Sequence, residues 1–344
     1  MQTSALIAMS GGVDSSVAAL LSVRDGLECA GATAKLHMNE KSGEPDAREA
    51  AGRLGIPYYI FDFSESFKKL VIERFIAVYR EGRTPNPCIE CNRFIKFGCF
   101  MQKSTELGKD LLVTGHYARA EMDGAGRYLL KKGADLSKDQ SYVLYTLKQE
   151  QLSRVHFPLG GLLKSEVRDI AREAGLANAG ISESQDICFV PGGDYARFIN
   201  EHTGAQPQKG RFVDTLGNDL GENDGLIKYT VGQRRGLGLA MPYPPYVLEL
   251  RPEDNTVVVG KDEMLYSKSF HVNDVNLIAF EKIDSPMRVR VKIRYKHAEQ
   301  PATVRQISDS SLFIEFDEPQ RAITKGQAAV MYDGDVVLGG GTIV

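Results

Sequence analysis

Residues 9–17 read Met-Ser-Gly-Gly-Val-Asp-Ser-Ser-Val: two glycines, an aspartate and three serines set between apolar neighbours. The stretch follows an apolar run, residues 5–9, and opens a run of helical period. A strand-to-helix turn of this kind aims backbone N–H groups and the helix dipole at one point, and glycine lets a ligand come close to the backbone. An anion such as phosphate fits that place. The plainer reading is a tight turn in which Ser10 or Asp14 caps the helix. No Gly-Lys-Ser/Thr closes the stretch and no G-x-G-x-x-G is present, so neither of the two commonest nucleotide loops applies.

Thiols are the second group with chemistry to offer. The chain has five cysteines and no export signal, which argues against a disulfide framework and for buried, metal-binding or reactive thiols. Cys29 and Cys99 sit in apolar surroundings and read as core. Cys88 and Cys91 form a C-x-x-C in a polar context. A cationic strand is the third group: along residues 287–295, Arg288, Arg290, Lys292 and Arg294 alternate with Met287, Val289, Val291, Ile293 and Tyr295. Period two puts the cations on one face. They suit either a nucleic-acid backbone, with Tyr295 free to stack on an unpaired base, or a solvated sheet face. Arg234 and Arg235, framed by glycines, add to the basic residues.

The elements that must hold these groups follow from periodicity. With 344 residues, 42% of them hydrophobic and 25% charged, the chain has material for two or three cores. The net charge of −3 advertises no polyanion partner for the molecule as a whole. Up to about residue 189, apolar runs alternate with helical stretches, which predicts an α/β domain built on a doubly wound parallel sheet. Beyond it, glycine-punctuated segments of period two predict a small antiparallel barrel or sandwich. A segment rich in Gly, Pro and Tyr lies between them. The expected units are residues 1–203, 204–270 and 271–344. No run has the length of a membrane span or the pattern of a signal peptide, which predicts a cytoplasmic protein with no membrane partner.

Residues 10–16, Ser-Gly-Gly-Val-Asp-Ser-Ser, resemble the PP-loop of the ATP-pyrophosphatase superfamily, which cleaves ATP between its α and β phosphates. Six further blocks narrow the likeness: GRTPNPCIECNRFIKF at 82–97, TGHYAR at 114–119, KDQSYVLY at 138–145, DICF at 186–189, GQRRGLG at 232–238 and GQAAVMYDGDVVLGGG at 326–341. Over nearly its full length the chain is similar to the bacterial tRNA-specific 2-thiouridylase family. The resemblance implies an adenine nucleotide α-hydrolase-like sheet, a mixed central tRNA-binding domain and a C-terminal β barrel. It also implies a reaction, in which ATP adenylylates the C2 oxygen of the wobble uridine and a persulfide sulfur replaces that oxygen.

Matched residue by residue, the family's ATP contacts fall on Ala8, Met9, Ser10, Gly11, Gly12, Val13, Asp14, Ser15, Met38 and Gly115, with Asp14 suited to Mg2+. Cys91 matches the first catalytic cysteine and Cys188 the persulfide carrier, which a cysteine desulfurase or a sulfur-carrier protein would charge. Contacts to tRNA fall on His116, Lys138, Asp139, Gln140, Arg294, Tyr295 and Gln327. As a residue at a strand end, His116 also reads as a hydrogen-bonded bystander.

Two departures matter. The stretch after Met38 is shorter than in better-known members, and Cys88 stands where those carry an aspartate. Three thiols, Cys88, Cys91 and Cys188, therefore leave three readings open: persulfide chemistry with Cys88 as a resolving thiol or as one half of an inactive disulfide, a 4Fe-4S cluster on three cysteines, or zinc, for which a fourth ligand is missing. Two other functions are compatible with the loop alone: an ATP pyrophosphatase acting on a small acceptor, and a non-catalytic RNA-binding nucleotide sensor.

Overall fold

The computed structural model describes residues 2–36, 43–176, 187–204 and 208–344. Met38, expected at the adenine, lies outside the described residues.

The first part of the chain forms strands β1 (Ser4–Ala8), β2 (Glu28–Lys35), β3 (Tyr58–Asp62), β4 (Leu111–Thr114), β5 (Ala118–Met122), β6 (Tyr128–Lys132) and β7 (Val155–His156). A parallel sheet runs in the order β3-β2-β1-β4-β7. Both its faces are covered, so β1 is apolar throughout and alternates its side chains between two cores. Ala5 and Ile7 face helices α1 (Val13–Arg24) and α2 (Glu44–Leu54) with Val17, Ala47 and Val113. Leu6 faces the opposite core, with Phe67, Phe75, Ile95 and Phe100 from the helices of residues 64–80 and 87–106. Because β1 has β2 on one side and β4 on the other, the chain reverses its direction of winding there. That crevice at the carboxyl ends of the strands is where open α/β sheets bind ligands.

Strands β5 and β6 leave this sheet as a hairpin and pair with the last strand of the chain. Next come β8 (Gly210–Val213), β9 (Asp219–Asn223), β10 (Tyr246–Arg251) and β11 (Thr256–Gly260), a small mixed sheet around Phe212, Tyr229, Val247 and Val257. The chain ends with β12 (Tyr266–Leu277), β13 (Met287–Lys292), β14 (Gln300–Ser308), β15 (Ser311–Arg321), β16 (Ala328–Asp333) and β17 (Val336–Ile343). Their order is β12-β15-β14-β13-β16-β17, and β12 pairs with β17. That last pairing decides between the two expected architectures, because a closed barrel has no edge strand left to protect.

The barrel and the parallel sheet share a core: Ala328, Val330, Tyr332 and Val337 join the cluster of Phe97, Tyr142 and Tyr145. Asn276 Nδ2 donates to Tyr145 O at 2.7 Å and Leu147 O at 2.9 Å, and Tyr142 OH donates to Ala328 O at 2.8 Å. Among the described residues no helix is long and apolar enough to cross a membrane.

Candidate functional site

The glycine-serine loop sits at the carboxyl end of β1, which ends at Ala8. Met9 is buried and locked to β2, its N–H donating to Ala32 O at 2.8 Å while its carbonyl accepts from Thr33 Oγ1 at 2.6 Å. Gly11 has φ +81°, a conformation natural to glycine. The hydroxyls close on the loop itself: Ser15 Oγ accepts from Ser10 N at 3.1 Å and donates to Gly12 O at 3.0 Å, and Ser16 Oγ donates to the same carbonyl at 3.2 Å. Gly12 is the N-cap of α1, Val13 is buried beneath the loop, and no side chain caps the helix. The capping reading of Ser10 and Asp14 thus fails. A twelve-residue helix points an amide end without a side-chain cap at the crevice, as an anion site requires.

Gly115, just past β4, packs against the same loop; a Cβ there would lie 2.8 Å from the carbonyl carbon of Asp14. Asp14 does not stand alone. Its two carboxylate oxygens each accept from Lys164 Nζ at 2.7 Å, and Oδ1 also accepts from Tyr117 OH at 2.8 Å. Lys164 is only 5% exposed and opens the helix Lys164–Glu173. The sequence reading missed it, although a signal was there: a cation in the first turn of a helix opposes the helix dipole, so such a lysine needs a nearby anion. Gln140 braces this corner, its Oε1 accepting from Tyr117 N and its own N–H donating to Tyr117 O, both at 3.0 Å.

The thiols arrive on the other flank. Asn86 caps the turn Pro87–Glu90 through Cys88 N at 3.2 Å, and the segment Cys91–Cys99 is wound as a π-helix, a winding frequent at functional sites. Cys88 is exposed to solvent yet flanked by protein, which pushes its thiol pKa up, while Lys96 pulls it down. Cys91 is half-buried on the rim of the core that also receives Ala8 and Ile187. Cys188, exposed, follows Ile187 and precedes Phe189, whose ring packs edge-on against Phe67 and Phe75. Cys91 and the two neighbours of Cys188, Ile187 and Phe189, thus pack on one core, which Ala8 at the end of β1 also joins. Among the described residues, no three His, Cys, Asp or Glu side chains are grouped to hold a metal. Cys88 and Cys91 share a helix turn, and Cys188 comes in on a separate segment anchored by Phe189. Cys29 is buried and Cys99 lies against the core, as expected of packing residues.

The residues expected to meet RNA make hydrogen bonds or ring contacts within the fold. His116 is 5% exposed, between the rings of Phe97 and Phe157. Asp139 is buried, its carboxylate accepting from Gly133 N, Ser141 N and Ser141 Oγ; Lys138 beside it is half-buried. Strand β13 ends at Lys292, so Arg294 lies beyond it and turns inward to Ala322 O at 3.0 Å and Thr324 Oγ1 at 2.6 Å. Tyr295 OH donates to Asp139 O at 3.1 Å. Gln327 Nε2 donates to Thr84 O at 2.8 Å and Pro85 O at 3.2 Å, clamping the segment just before the C-x-x-C.

The expected row of bare cations is likewise corrected. Arg288 is engaged by Asp317, Arg290 by Glu299, and Lys292 lies over the Tyr142 and Tyr295 rings. Opposite charges reach them from β15, two strands away, and from the loop before β14. Arg234 and Arg235 are exposed, and Arg234 lines a shallow cavity of about 470 Å³ with Leu237, Met241 and Tyr243.

A parallel sheet that points an uncapped glycine-serine loop at its switch point, with a barrel packed beside it, defines an ATP-using enzyme of the PP-loop class. Family models match in three consecutive parts: a tRNA methyl transferase HUP domain over residues 3–192, a tRNA methyl transferase PRC-barrel domain over 196–261 and an aminomethyltransferase β-barrel domain over 267–343. The tRNA-specific 2-thiouridylase MnmA of Clostridioides difficile (strain 630) is 46% identical over 355 residues, covering 100% of this chain and 98% of that protein. Its counterpart in Carboxydothermus hydrogenoformans is 47% identical, covering 98% of this chain and 96% of its own. The chain belongs to the tRNA-specific 2-thiouridylase family. Among solved structures, an NMN synthetase from Francisella tularensis is a distant likeness, with TM-score 0.37 and 15% identity over 60% of this chain and 79% of that one.

Proposed function

We propose that this protein is an ATP-dependent tRNA-uridine 2-sulfurtransferase that converts the wobble uridine of tRNA to 2-thiouridine. The observation that supports the reading is a phosphate-type loop at the end of β1, together with Cys91 and the neighbours of Cys188 packed on the core that Ala8 also joins. The base must leave the anticodon stack to reach that edge. Its O2 attacks the α-phosphorus of ATP, the bond between the α-phosphorus and its bridging oxygen breaks, pyrophosphate leaves with the electron pair, and the N3 proton passes to water. This turns a poor leaving group into AMP.

The terminal sulfur of a persulfide on Cys188 then attacks C2, and AMP leaves with its oxygen. The Cys91 thiolate attacks the Cys188 sulfur, the S–S bond breaks toward the uridine, N3 regains a proton from water, and 2-thiouridine departs. The resulting Cys91–Cys188 disulfide is reduced by an external thiol. Exposure of Cys188 suits recharging by a desulfurase or a sulfur-carrier protein.

Lys164 and the amide end of α1 meet the negative charge of the phosphates. Mg2+, when bound with ATP, neutralises the departing pyrophosphate, and Asp14 is the carboxylate placed to join it once Lys164 turns to a phosphate. The test is pyrophosphate release with and without tRNA, alongside mass spectrometry of the product nucleosides. Release that needs tRNA and yields 2-thiouridine is expected. Release driven by a small acceptor, or none at all, would replace this reading with one of its two rivals.

A further inference from the structure

Lys96 is a half-buried cation at the carboxyl edge of the sheet, and among the described residues no carboxylate pairs with it. Its Nζ lies 3.3 Å from His116 Nε2. An ammonium has only hydrogens to give, so Nε2 accepts, Nδ1 carries the ring proton, and that proton goes to Thr114 Oγ1 at 2.7 Å. His116 is buried, and burial together with Lys96 holds its pKa well below the usual imidazole range. The ring is neutral and supplies no counter-charge. A cation drawn part-way out of water against a neutral base carries a desolvation cost that no carboxylate among the described residues offsets; the acidic group it acts on is the Cys88 thiol.

Its place suggests what does offset it. His116 follows Gly115, which packs on Asp14 and Ser15, and Thr114 pairs with Ala8 at the end of β1. The winding of Cys91–Cys99 points the same way: an i to i+5 pattern sets residue 96 nearly over Cys91, whereas about 3.6 residues per turn would carry it around the helix. Lys164 and Lys96 flank one crevice, the first already matched to Asp14 and the second facing an uncharged ring.

We infer that Lys96 is a catalytic residue whose ammonium binds the α-phosphate of the nucleotide and remains with that phosphate as AMP leaves C2. The inference rests on the reaction proposed above. Held next to a neutral ring and away from bulk water, a fixed positive charge acts where negative charge grows in both steps, first on the phosphorane oxygens and then on departing AMP.

The test compares K96R, which keeps the charge, with K96Q, which keeps a donor to His116 but loses it. Single-turnover AMP formation with tRNA is expected to fall about 100-fold in K96Q and less than about 10-fold in K96R, with ATP and tRNA affinities within about threefold of wild type. K96Q within threefold of wild type, or K96R as impaired as K96Q, overturns the inference. Lysine acylation of the unmutated enzyme, read by mass spectrometry, adds a measure that needs no variant to fold: AMP should protect Lys96 severalfold, and absence of protection counts against it. A wild-type enzyme that makes no 2-thiouridine would remove the proposed function itself and this inference with it.

Discussion

The phosphate loop and strand β13 of the barrel make opposite use of their polar side chains. In the loop, residues that look committed to capping do not cap: Ser10 and Ser15 bond to each other's surroundings within five positions, and the helix amide end is left for a ligand. In the strand, residues that look available are engaged. Arg288 meets Asp317 across 29 positions, Arg294 meets Val231 across 63, and beside them Gln327 reaches Thr84 across 243. Local sequence shows which way a side chain faces. Whether its charge or hydrogen bond is free depends on partners contributed from far along the chain.

The largest expected effects come from the thiols, which test whether the loop and the cysteine segments work as one site. C91S and C188S should leave tRNA-dependent adenylylation within a few-fold of wild type and abolish 2-thiouridine, measured by pyrophosphate release and nucleoside mass spectrometry on the same samples. Loss of both signals in either variant would mean that the two segments are not chemically separable.

Next is Lys164, which reaches the loop's Asp14 across 150 positions. K164M removes the cation proposed to meet the phosphates and leaves the part-buried Asp14 carboxylate, among the described residues, with the Tyr117 hydroxyl. Adenylylation should drop by about two to three orders of magnitude, and unfolding in urea should show a loss of about 2–3 kcal/mol. The double variant D14N/K164M should recover part of that stability and none of the rate. Full stability in K164M would show that the pair is incidental.

Much of the fold was readable in advance because its causes are local. Buried alternation in residues 4–8, the Gly-rich turn and the helical period of residues 13–24 and 87–106 each appear within one element. Barrel closure was not readable, since it depends on β12 meeting β17, which no short window contains. The site divides in the same way. Ser10, Gly11, Gly12 and Gly115 were proposed from turn chemistry and family motif, while Lys164, which the fold brings to Asp14, and Lys96, which it brings to His116, carried only the faint signals of a cation at a helix start and a cation on an apolar helix.

Gln327 separates the two lessons more finely. If its role is to hold Thr84 and Pro85, Q327A should lower kcat about tenfold with KM for tRNA nearly unchanged, because the Cys88–Cys91 turn loses its brace; stability should fall by about 1–2 kcal/mol for the two missing hydrogen bonds. A contact made directly to RNA would instead raise KM. Steady-state kinetics against tRNA concentration distinguishes these, and Q327E sharpens the result, since a carboxylate keeps an acceptor for RNA but cannot donate to either carbonyl.

The smallest effect is expected on the face that looked most like an RNA surface. Arg288 donates to both Asp317 oxygens, at 2.7 and 2.6 Å, and the two side chains are 61% and 44% exposed. A surface pair of this kind contributes roughly 0.2–1 kcal/mol, so R288A should hardly move the melting temperature. It should also leave tRNA affinity and its salt dependence unchanged, because a guanidinium held by a carboxylate has little net charge to offer a phosphate. D317N releases that charge. If the pairing is what silences Arg288, D317N steepens the dependence of log Kd on log salt by up to about one unit, and R288A in the D317N background reverses it. A slope already reduced by R288A alone would show that the arginine reaches phosphate despite its partner, and the contrast between loop and strand would then narrow to Arg290, Lys292 and Arg294.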